Sequence, residues 1–274
     1  MISDYHIHTF LCKHAEGDVS EYVNTARERQ LSEMCFTDHA PDPGGYDFKH
    51  RMEINQFPVY TGLVSKLSEG SFEHDNNAPV ILFGVEADYY GGCERFLGKW
   101  LPEQKFDLVI GSIHYIKDWG FDNPQERSVW DSVDVTNTWR EYFELVGILV
   151  GTKMFDVIGH LDLPKKFGYR PSDRDLKEMV QPVLDRIADA GMGIEINTSG
   201  LHKPIKEIYP SPMLLELACE REIPICFGSD AHAPQDVGYA FDLALKLARE
   251  AGYTRCLRFR RREKELVPMP SDTN

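Results

Sequence analysis

The residues with the greatest capacity for chemistry in this 274-residue chain are its histidines. Seven of the ten lie at or just beyond the end of a predicted β-strand or in the loop after the first one: His6, His8, His14, His39, His114, His160 and His232. Two acidic residues, Glu86 and Asp230, have the same placement. In a parallel barrel the carboxyl ends of all strands open on one face, where active sites are built. The pattern therefore predicts one cluster of imidazoles and carboxylates.

The first predicted strand contains the triplet His6-Ile7-His8. Alternate residues of a strand point to the same side of the sheet, so these two imidazoles can bind one ion together. A single histidine at a strand end is more often a satisfied polar residue than a ligand. Under that interpretation, each of the seven histidines would need its own polar partner, and buried Glu86 and Asp230 would need partners as well. We therefore predict a metal site, and ligation by imidazole and carboxylate without thiolate suits Zn, Mn or Fe.

The elements that must position these residues alternate along the chain. Apolar or β-branched runs predict strands at residues 3–9, 33–37, 79–87, 107–114, 155–160, 193–197 and 224–229. Helical spacing predicts helices near residues 19–29, 54–68, 135–153, 173–190, 212–221 and 236–251. This alternation indicates an α/β fold with a parallel sheet, and seven repeats without a strong eighth favour a barrel or near-barrel. Residues 254–259 are a candidate for a further edge strand.

Length and composition narrow the classes of function. A barrel fits 274 residues without a remainder, so we expect a single domain over residues 1–274. The formal net charge of −14 disfavours nucleic acid and anionic membrane surfaces as partners. No apolar run reaches the roughly 18 residues of a membrane span. The start of the chain lacks the basic residues of a signal peptide, and the six cysteines contain no Cys-x-x-Cys pair. We therefore expect a cytoplasmic protein with reduced thiols.

Three stretches carry a resemblance to a known family. Residues 37–41 (Thr-Asp-His-Ala-Pro), 159–168 (Gly-His-Leu-Asp-Leu-Pro-Lys-Lys-Phe-Gly) and 195–198 (Glu-Ile-Asn-Thr) resemble the polymerase-and-histidinol-phosphatase superfamily, and within it the histidinol-phosphate phosphatase branch. The likeness extends from Asp4 to about Gly238 and so covers most of the chain. It implies a distorted seven-stranded (βα)7 TIM-like barrel.

The resemblance also implies three divalent metal ions, which would be Zn, Mn or Fe. By motif matching, the first ion is held by His6, His8, Glu86 and Asp230, and Glu86 bridges to a second ion held also by His114 and His160. The third is held by His14, His39 and His232. A hydroxide bridging two of the ions would attack phosphorus, so the expected catalytic residues are Glu86, Asp230 and His232. Three bound cations would give this acidic protein a positively charged pocket for a small phosphorylated substrate.

Other residues are candidates for supporting the ligands or binding the substrate. Asp38 and Asp162 are expected to accept hydrogen bonds from ligating imidazoles, with a helix N-cap as the alternative for Asp162. The expected substrate-binding residues are Lys166, Arg170, Asn197, His202 and Lys203. His202 stands where this branch of the family commonly has an arginine, and an imidazole holds phosphate differently from a guanidinium. The donor of the leaving-group proton stays open among His232, Asp162 and a metal-bound water.

Three features are interpreted without assigning them to the site. Glu195 is expected to satisfy a polar barrel interior, and His50 and His74 are expected at the surface. The segment 115–130 carries Trp119, Phe121 and Trp130. They either cover the pocket or pack within their own loop.

These expectations converge on a phosphomonoesterase that hydrolyses L-histidinol phosphate to L-histidinol and inorganic phosphate, a step of histidine biosynthesis. The substrate comes from the resemblance, because spacing alone predicts only a multinuclear metal hydrolase on an α/β barrel. The alternatives are a phosphoesterase for another small phosphate ester or nucleotide, a metal-binding module without turnover, and a barrel amidohydrolase. The complete ligand set argues against a non-catalytic module, and His14 and His39 favour the phosphatase over the amidohydrolase. The oligomeric state does not follow from the sequence.

Overall fold

The computed structural model describes residues 2–70 and 78–270. Its strands are β1 (Ser3–Ile7), β2 (Glu33–Phe36), β3 (Val80–Asp88), β4 (Leu108–Ser112), β5 (Tyr115–Ile116), β6 (Trp119–Gly120), β7 (Val157–Ile158), β8 (Gly193–Asn197), β9 (Ile225–Gly228), β10 (Arg255–Arg260) and β11 (Glu263–Pro268). Seven of them form one parallel sheet in the order β1, β2, β3, β4, β7, β8, β9. The chain after β9 returns to β1, where the amide of His8 donates to the carbonyl of Ala231 at 2.9 Å. The predicted seven-stranded barrel is thus confirmed.

Within residues 2–70 and 78–270, seven α-helices connect these strands, one after each barrel strand. They are α1 (Val19–Glu28), α2 (Phe57–Gly70), α3 (Glu94–Glu103), α4 (Val135–Thr152), α5 (Asp173–Asp189), α6 (Pro212–Cys219) and α7 (Phe241–Glu250). Ser172 caps α5 by accepting from the amide of Asp175, as its sequence predicts. The spacing missed α3, a ten-residue helix that contains Gly98 and Pro102, both poor helix formers. The helix predicted at 236–251 begins later, at Phe241.

Residues 254–259 do form a strand, but it is not an edge of the barrel sheet. Among the described strands, β10 pairs with β11 alone, in an antiparallel two-stranded sheet separate from the barrel. Leu257 and Phe259 of β10 pack in one apolar cluster with Tyr5 of β1 and with residues of the other barrel strands. The ring of Phe259 meets that of Tyr5 edge-on, with centroids 5.0 Å apart. The hairpin therefore supplies apolar side chains to the cluster at the amino-terminal end of the strands.

The two ends of the barrel differ in polarity. The apolar cluster takes Leu82 of β3 and Leu108 of β4 near the starts of those strands, whereas Glu86 lies toward the end of β3. In β1 the register against β2 shifts between Asp4 and Ile7, so Tyr5 joins the apolar cluster while His6 reaches the polar end. Polar side chains consequently collect at the carboxyl ends, as predicted. Within the described residues, no helix has the length and apolarity needed to cross a membrane.

Candidate metal centre

The carboxyl ends of the barrel strands bring all seven predicted histidines together with both predicted carboxylates. His6 and His8 lie at the end of β1, and His14 lies in the loop before α1. His39 follows β2, Glu86 is within β3, His114 follows β4, His160 follows β7, and Asp230 and His232 follow β9. Neighbouring rings lie close, with centroids 4.1 Å apart for His8 and His232 and 5.1 Å apart for His114 and His160.

Glu86 lies at the middle of this cluster and is buried. Its oxygens approach five imidazoles: Oε1 lies 3.1 Å from His160 Nε2 and 3.6 Å from His114 Nε2, and Oε2 lies 3.1 Å from His39 Nδ1, 3.4 Å from His6 Nε2 and 3.5 Å from His8 Nε2. Burial alone would raise the pKa of Glu86, but His39, His6 and His114 hold it well below its usual range. An ionised carboxylate whose two oxygens face different imidazoles is suited to bridging two cations.

Asp230 is the second carboxylate of the cluster, and its backbone is in the left-handed region with φ of 53°. Its Oδ1 lies 3.1 Å from Nε2 of His8 and 3.7 Å from Nε2 of His6, and Ser199 Oγ is 3.1 Å from Oδ2. Burial alone would raise the pKa of Asp230, but His6 and His8 hold it well below its usual range. His160 also has a positive φ, 25°. Unfavourable backbone conformations at non-glycine residues concentrate at functional sites.

The chemistry of the cluster fits metal ions. Several buried ring nitrogens have no hydrogen-bond partner in the described part of the chain: His6 Nε2, both nitrogens of His8, His39 Nδ1, His160 Nδ1 and His232 Nε2. A buried polar atom without a partner is costly, and a cation bound to the imidazoles would remove that cost. Neutral imidazole and carboxylate are common ligands of zinc and of other transition metals.

The side chains group in a way that overlaps with the ligand sets implied by the resemblance. Ligand-type atoms of His6, His8 and Glu86 lie within 4.8 Å of one another, as the first set requires. His39 groups with Glu86 and His114, although the resemblance implies that it holds a different ion. His232 groups with His8 and His39, and also with His14 and Cys12. Cys12 was not among the predicted ligands.

Two carboxylates that the sequence did not single out as partners of the imidazoles orient them. Glu195 Oε1 lies 2.7 Å from His6 Nδ1, and Asp88 Oδ1 lies 3.0 Å from His114 Nδ1. Such partners fix the tautomer of an imidazole and the nitrogen that faces the metal. The signal that could have found Asp88 is its position two residues after Glu86 in the same strand.

Asp38 is less closely engaged with an imidazole than we expected. Its Oδ1 is 3.6 Å from His8 Nδ1, which is too long for a hydrogen bond. It accepts instead from the hydroxyl and the amide of Thr9, and from the amide of His39 at 2.7 Å. Asp38 therefore joins the loops after β1 and β2, and so fixes the backbone on which two predicted ligands stand.

Comparison with known proteins agrees with this architecture. A family model described as "PHP domain" matches residues 4–199, and a second, described as "PHP-associated", matches residues 213–253. The chain belongs to the PHP domain family. It is 41% identical over 262 residues to the "Probable histidinol-phosphatase" of Deinococcus radiodurans, an alignment that covers 96% of this chain and 98% of the relative.

Two further comparisons extend this result. This PHP-domain protein is 27% identical to the "Histidinol-phosphatase" of Bacillus subtilis, with 89% of this chain and 98% of the relative covered. The crystal structure of histidinol phosphate phosphatase from Lactococcus lactis, complexed with zinc, L-histidinol and phosphate, superposes with a TM-score of 0.81 over 96% of this chain and 98% of that one. At 22% identity, this likeness shows the shared fold.

Five of the seven predicted histidines, together with Glu86 and Asp230, line a cavity of about 390 Å³ in the PHP-domain protein. Lys166 and Lys203, two predicted substrate-binding residues, line it. The ammonium of Lys166 lies 2.9 Å from Asp122, which also lines the cavity. The cavity wall therefore carries two lysines as well as predicted metal ligands, and one of the lysines is paired with a carboxylate.

The other three predicted substrate-binding residues do not line this cavity. Arg170 lies 3.5 Å from the carboxylate of Glu207. His202 is exposed, and its ring packs against Tyr239 with centroids 4.1 Å apart. Asn197 is buried and donates to Glu195 Oε2 at 3.0 Å, so it supports the carboxylate that contacts His6.

Asp162 also differs from its predicted role. It precedes a 3-10 helix at Leu163–Phe167 but makes no capping hydrogen bond with its side chain. Its Oδ2 instead accepts from the amide of Ser211 at 2.9 Å and lies 3.0 Å from the ammonium of buried Lys165. Asp162 therefore holds the loops after β7 and β8 together.

The aromatic loop and the two remaining histidines complete the account of predicted features. Phe121 and Trp130 are buried, and Trp130 Nε1 donates to the carbonyl of Phe121 at 2.7 Å, so these rings pack within their own loop. His50, interpreted from the sequence as a surface residue, lines the cavity and lies edge-on to His14 with centroids 5.5 Å apart. His74 lies outside the described residues.

Proposed function

We propose that this PHP-domain protein is a metal-dependent phosphomonoesterase that hydrolyses L-histidinol phosphate to L-histidinol and inorganic phosphate, as a step of histidine biosynthesis. The observation that carries the proposal is Glu86, an ionised buried carboxylate that approaches five imidazoles and lines the same cavity as Lys166 and Lys203. The name of the Deinococcus relative, which aligns over nearly the whole of both chains, supports the substrate. The L-histidinol and phosphate bound to the Lactococcus protein of the same fold are consistent with it.

We propose that three divalent ions act in the cluster. The ligands would be His6, His8, Glu86 and Asp230 for the first, Glu86, His114 and His160 for the second, and His14 and His232, with His39, for the third. When bound, such ions lower the pKa of water and neutralise charge on phosphate oxygens. Sharing of Glu86 between the first two ions is supported by its two oxygens, because Oε2 faces His6 and His8 whereas Oε1 faces His114 and His160.

The cavity wall carries charged groups of both signs. Lys166 and Lys203 place positive charge beside the histidine cluster and would hold phosphate oxygens. The rest of the wall includes Asp47, Asp122 and Asn123, which offer acceptors to the amine and imidazole of a histidinol leaving group. A wall with both lysines and carboxylates supports a substrate that carries an anionic phosphate and basic nitrogen groups.

The leaving alkoxide needs a proton, and the described geometry narrows the candidate donors. Asp162 is buried and engaged with Ser211 and Lys165, so it does not reach the cavity. Burial and the neighbouring His8 hold the pKa of His232 well below its usual range, so its imidazole is neutral and suited to ligation. We infer that solvent in the cavity supplies the proton.

The same proposal covers the extent of the domain. We infer one barrel domain over residues 1–274, because β9 lies beyond the first matched segment and yet pairs with β8, and Ala231 bridges to Ile7 of β1. Location in the cytoplasm stays a prediction. The six cysteines in the described residues are all free, which is consistent with it.

The decisive experiment is phosphate release from a substrate panel by zinc- or manganese-loaded protein with quantified metal content. The panel contains histidinol phosphate, sugar and nucleoside monophosphates, and a short oligonucleotide. We expect kcat/KM for histidinol phosphate to exceed the others by at least about 100-fold, as a site with buried polar groups matched to one substrate allows. Turnover without preference would retain a phosphoesterase and reject the substrate. No turnover by metal-loaded protein would reject the phosphatase in favour of an accessory module or an amidohydrolase.

A further inference from the structure

Cys12 is buried at the end of the short 3-10 turn Phe10–Cys12, between β1 and α1. Ligand-type atoms of Cys12, His14 and His232 all lie within 4.8 Å of one another. Cys12 also lies within that distance of His8 and Asp38. The thiol therefore borders the metal centre, and imidazoles from two separate segments of the chain face it.

The orientation of the two histidines leaves one nitrogen of each available to a ligand. Nδ1 of His14 lies 2.8 Å from the carbonyl oxygen of Cys12, and Nδ1 of His232 lies 2.9 Å from that of Asp230. A carbonyl only accepts, so each Nδ1 carries the proton and each Nε2 presents a lone pair. His232 Nε2 is buried and has no hydrogen-bond partner among the described residues.

A second observation points to a ligand at the same place. The ring of His8 is wholly buried, and neither of its nitrogens has a hydrogen-bond partner in the part of the chain that the structure describes. Nε2 of His8 faces Glu86 and Asp230, whereas Nδ1 is on the side of Asp38. His8 and His232 both group with Cys12, and a cation bound among them would account for their unsatisfied nitrogens.

We propose that Cys12 is a thiolate ligand, and that it, His14 and His232 together hold one ion of the centre. The thiol loses its proton to solvent as the sulfur–metal bond forms, so binding of this ion releases one proton. This ion is the third of those proposed above, so Cys12 would add a sulfur donor to the imidazoles of His14, His232 and His39. A sulfur donor makes this position selective for zinc over manganese.

The other cysteines provide internal controls. Cys35 and Cys226 lie in the apolar cluster of the barrel interior, and Cys93 lies at the start of α3. No group of metal-ligand type among the described residues includes any of these three. Cys93 is as deeply buried as Cys12, with 1% and 0% of its surface exposed respectively, so it is a matched control.

The test uses full-length protein loaded with cobalt in place of zinc, without substrate. We expect a thiolate-to-cobalt charge-transfer band in the near ultraviolet for the wild type and for Cys93→Ser, and its loss in Cys12→Ser and Cys12→Ala. Circular dichroism of each variant shows whether the fold is retained. A band of equal intensity in a folded Cys12→Ser protein would overturn the proposal.

A second measurement needs no variant. Zinc-edge X-ray absorption of the wild-type protein is expected to show a sulfur neighbour at about 2.3 Å, the usual zinc–thiolate distance. A spectrum explained by nitrogen and oxygen alone would contradict the assignment. Because neither readout involves turnover, failure of the thiolate ligand and failure of the proposed phosphatase activity can be told apart.

Discussion

Oε1 of Glu195 lies 2.7 Å from Nδ1 of His6, and both side chains are buried. The contact joins β8 to β1 across the barrel interior. Oε2 of the same carboxylate accepts from the amide of His160 at 3.0 Å, so one side chain positions two predicted ligands. Gly228 leaves room for it, because a Cβ at that position would overlap Oε1. Glu195 is therefore a positioning residue for the metal centre.

Replacing Glu195 with glutamine is expected to weaken zinc binding about 10- to 100-fold, since partners of ligating histidines contribute that much. The variant keeps a polar group of the same size but removes the negative charge beside His6. Competition with a chelator measures the affinity, and Glu216→Gln, on the exposed face of α6, is the control. Unchanged affinity in Glu195→Gln would show that the contact only satisfies the barrel interior.

Removal of the carboxylate of Glu86 tests the centre itself. Glu86→Ala removes the carboxylate that the proposed first and second ions share. We therefore expect the metal content to fall and phosphatase activity to drop at least about 100-fold. Elemental analysis and phosphate release measure the two effects, and circular dichroism checks that the barrel persists. The exposed Glu103→Ala variant should keep full metal content. Full activity in a folded Glu86→Ala protein would sink the assignment.

The cluster could be predicted because polar residues at the ends of apolar strands are visible in a single sequence. His6, His39 and His160 each end or follow a run of strand type, and the parallel barrel then places them on one face. Helix α5 could be predicted in the same way, from its Ser172 cap and its apolar stripe. Patterns of this kind depend on neighbours in the chain, which the sequence displays directly.

Partners that are far apart in the chain could not be predicted in the same way. The contact between Glu195 and His6 joins residues separated by 189 positions, and no local pattern encodes it. Arg170 was placed near phosphate because of its loop, but the structure brings Glu207 to it from the next loop. Cys12 was interpreted as an ordinary thiol because its nearness to His232 depends on the return of the chain after β9.

The hairpin β10–β11 gives the barrel a contact that depends on pH. Buried Glu33 accepts from Tyr5 at 2.5 Å and from Arg258 Nε at 3.0 Å, and Arg260 also contacts it. Burial alone would raise the pKa of Glu33, but Arg260 and Arg258 lower it below its usual value of about 4.5. A depressed carboxyl pKa stabilises the fold above the unfolded-state value, and that stability is lost as the pH falls through the folded-state value.

We therefore expect Glu33→Gln to lower the free energy of unfolding by about 1–3 kcal/mol at neutral pH, because the partners of a buried acceptor are left less well satisfied. The difference from the wild type should narrow as the pH falls below about 4.5. Urea unfolding at several pH values measures it, with Glu103→Gln at the exposed end of α3 as control. A difference that stays constant down to pH 3, roughly one unit below the ordinary glutamate pKa, would contradict the ion-pair explanation.

Lys166 and Arg170 allow a cation that lines the cavity to be compared with one that lies outside it. Lys166 lines the cavity beside Asp122, whereas Arg170 lies against Glu207. Loss of a charged hydrogen bond costs about 1.5–3 kcal/mol, so Lys166→Gln should raise KM for histidinol phosphate about 10- to 100-fold. Arg170→Gln should leave KM within about twofold of the wild type, because surface ion pairs contribute little. Steady-state kinetics on both variants measures the two KM values. An equal rise in KM would contradict the prediction, because it would place phosphate near both residues.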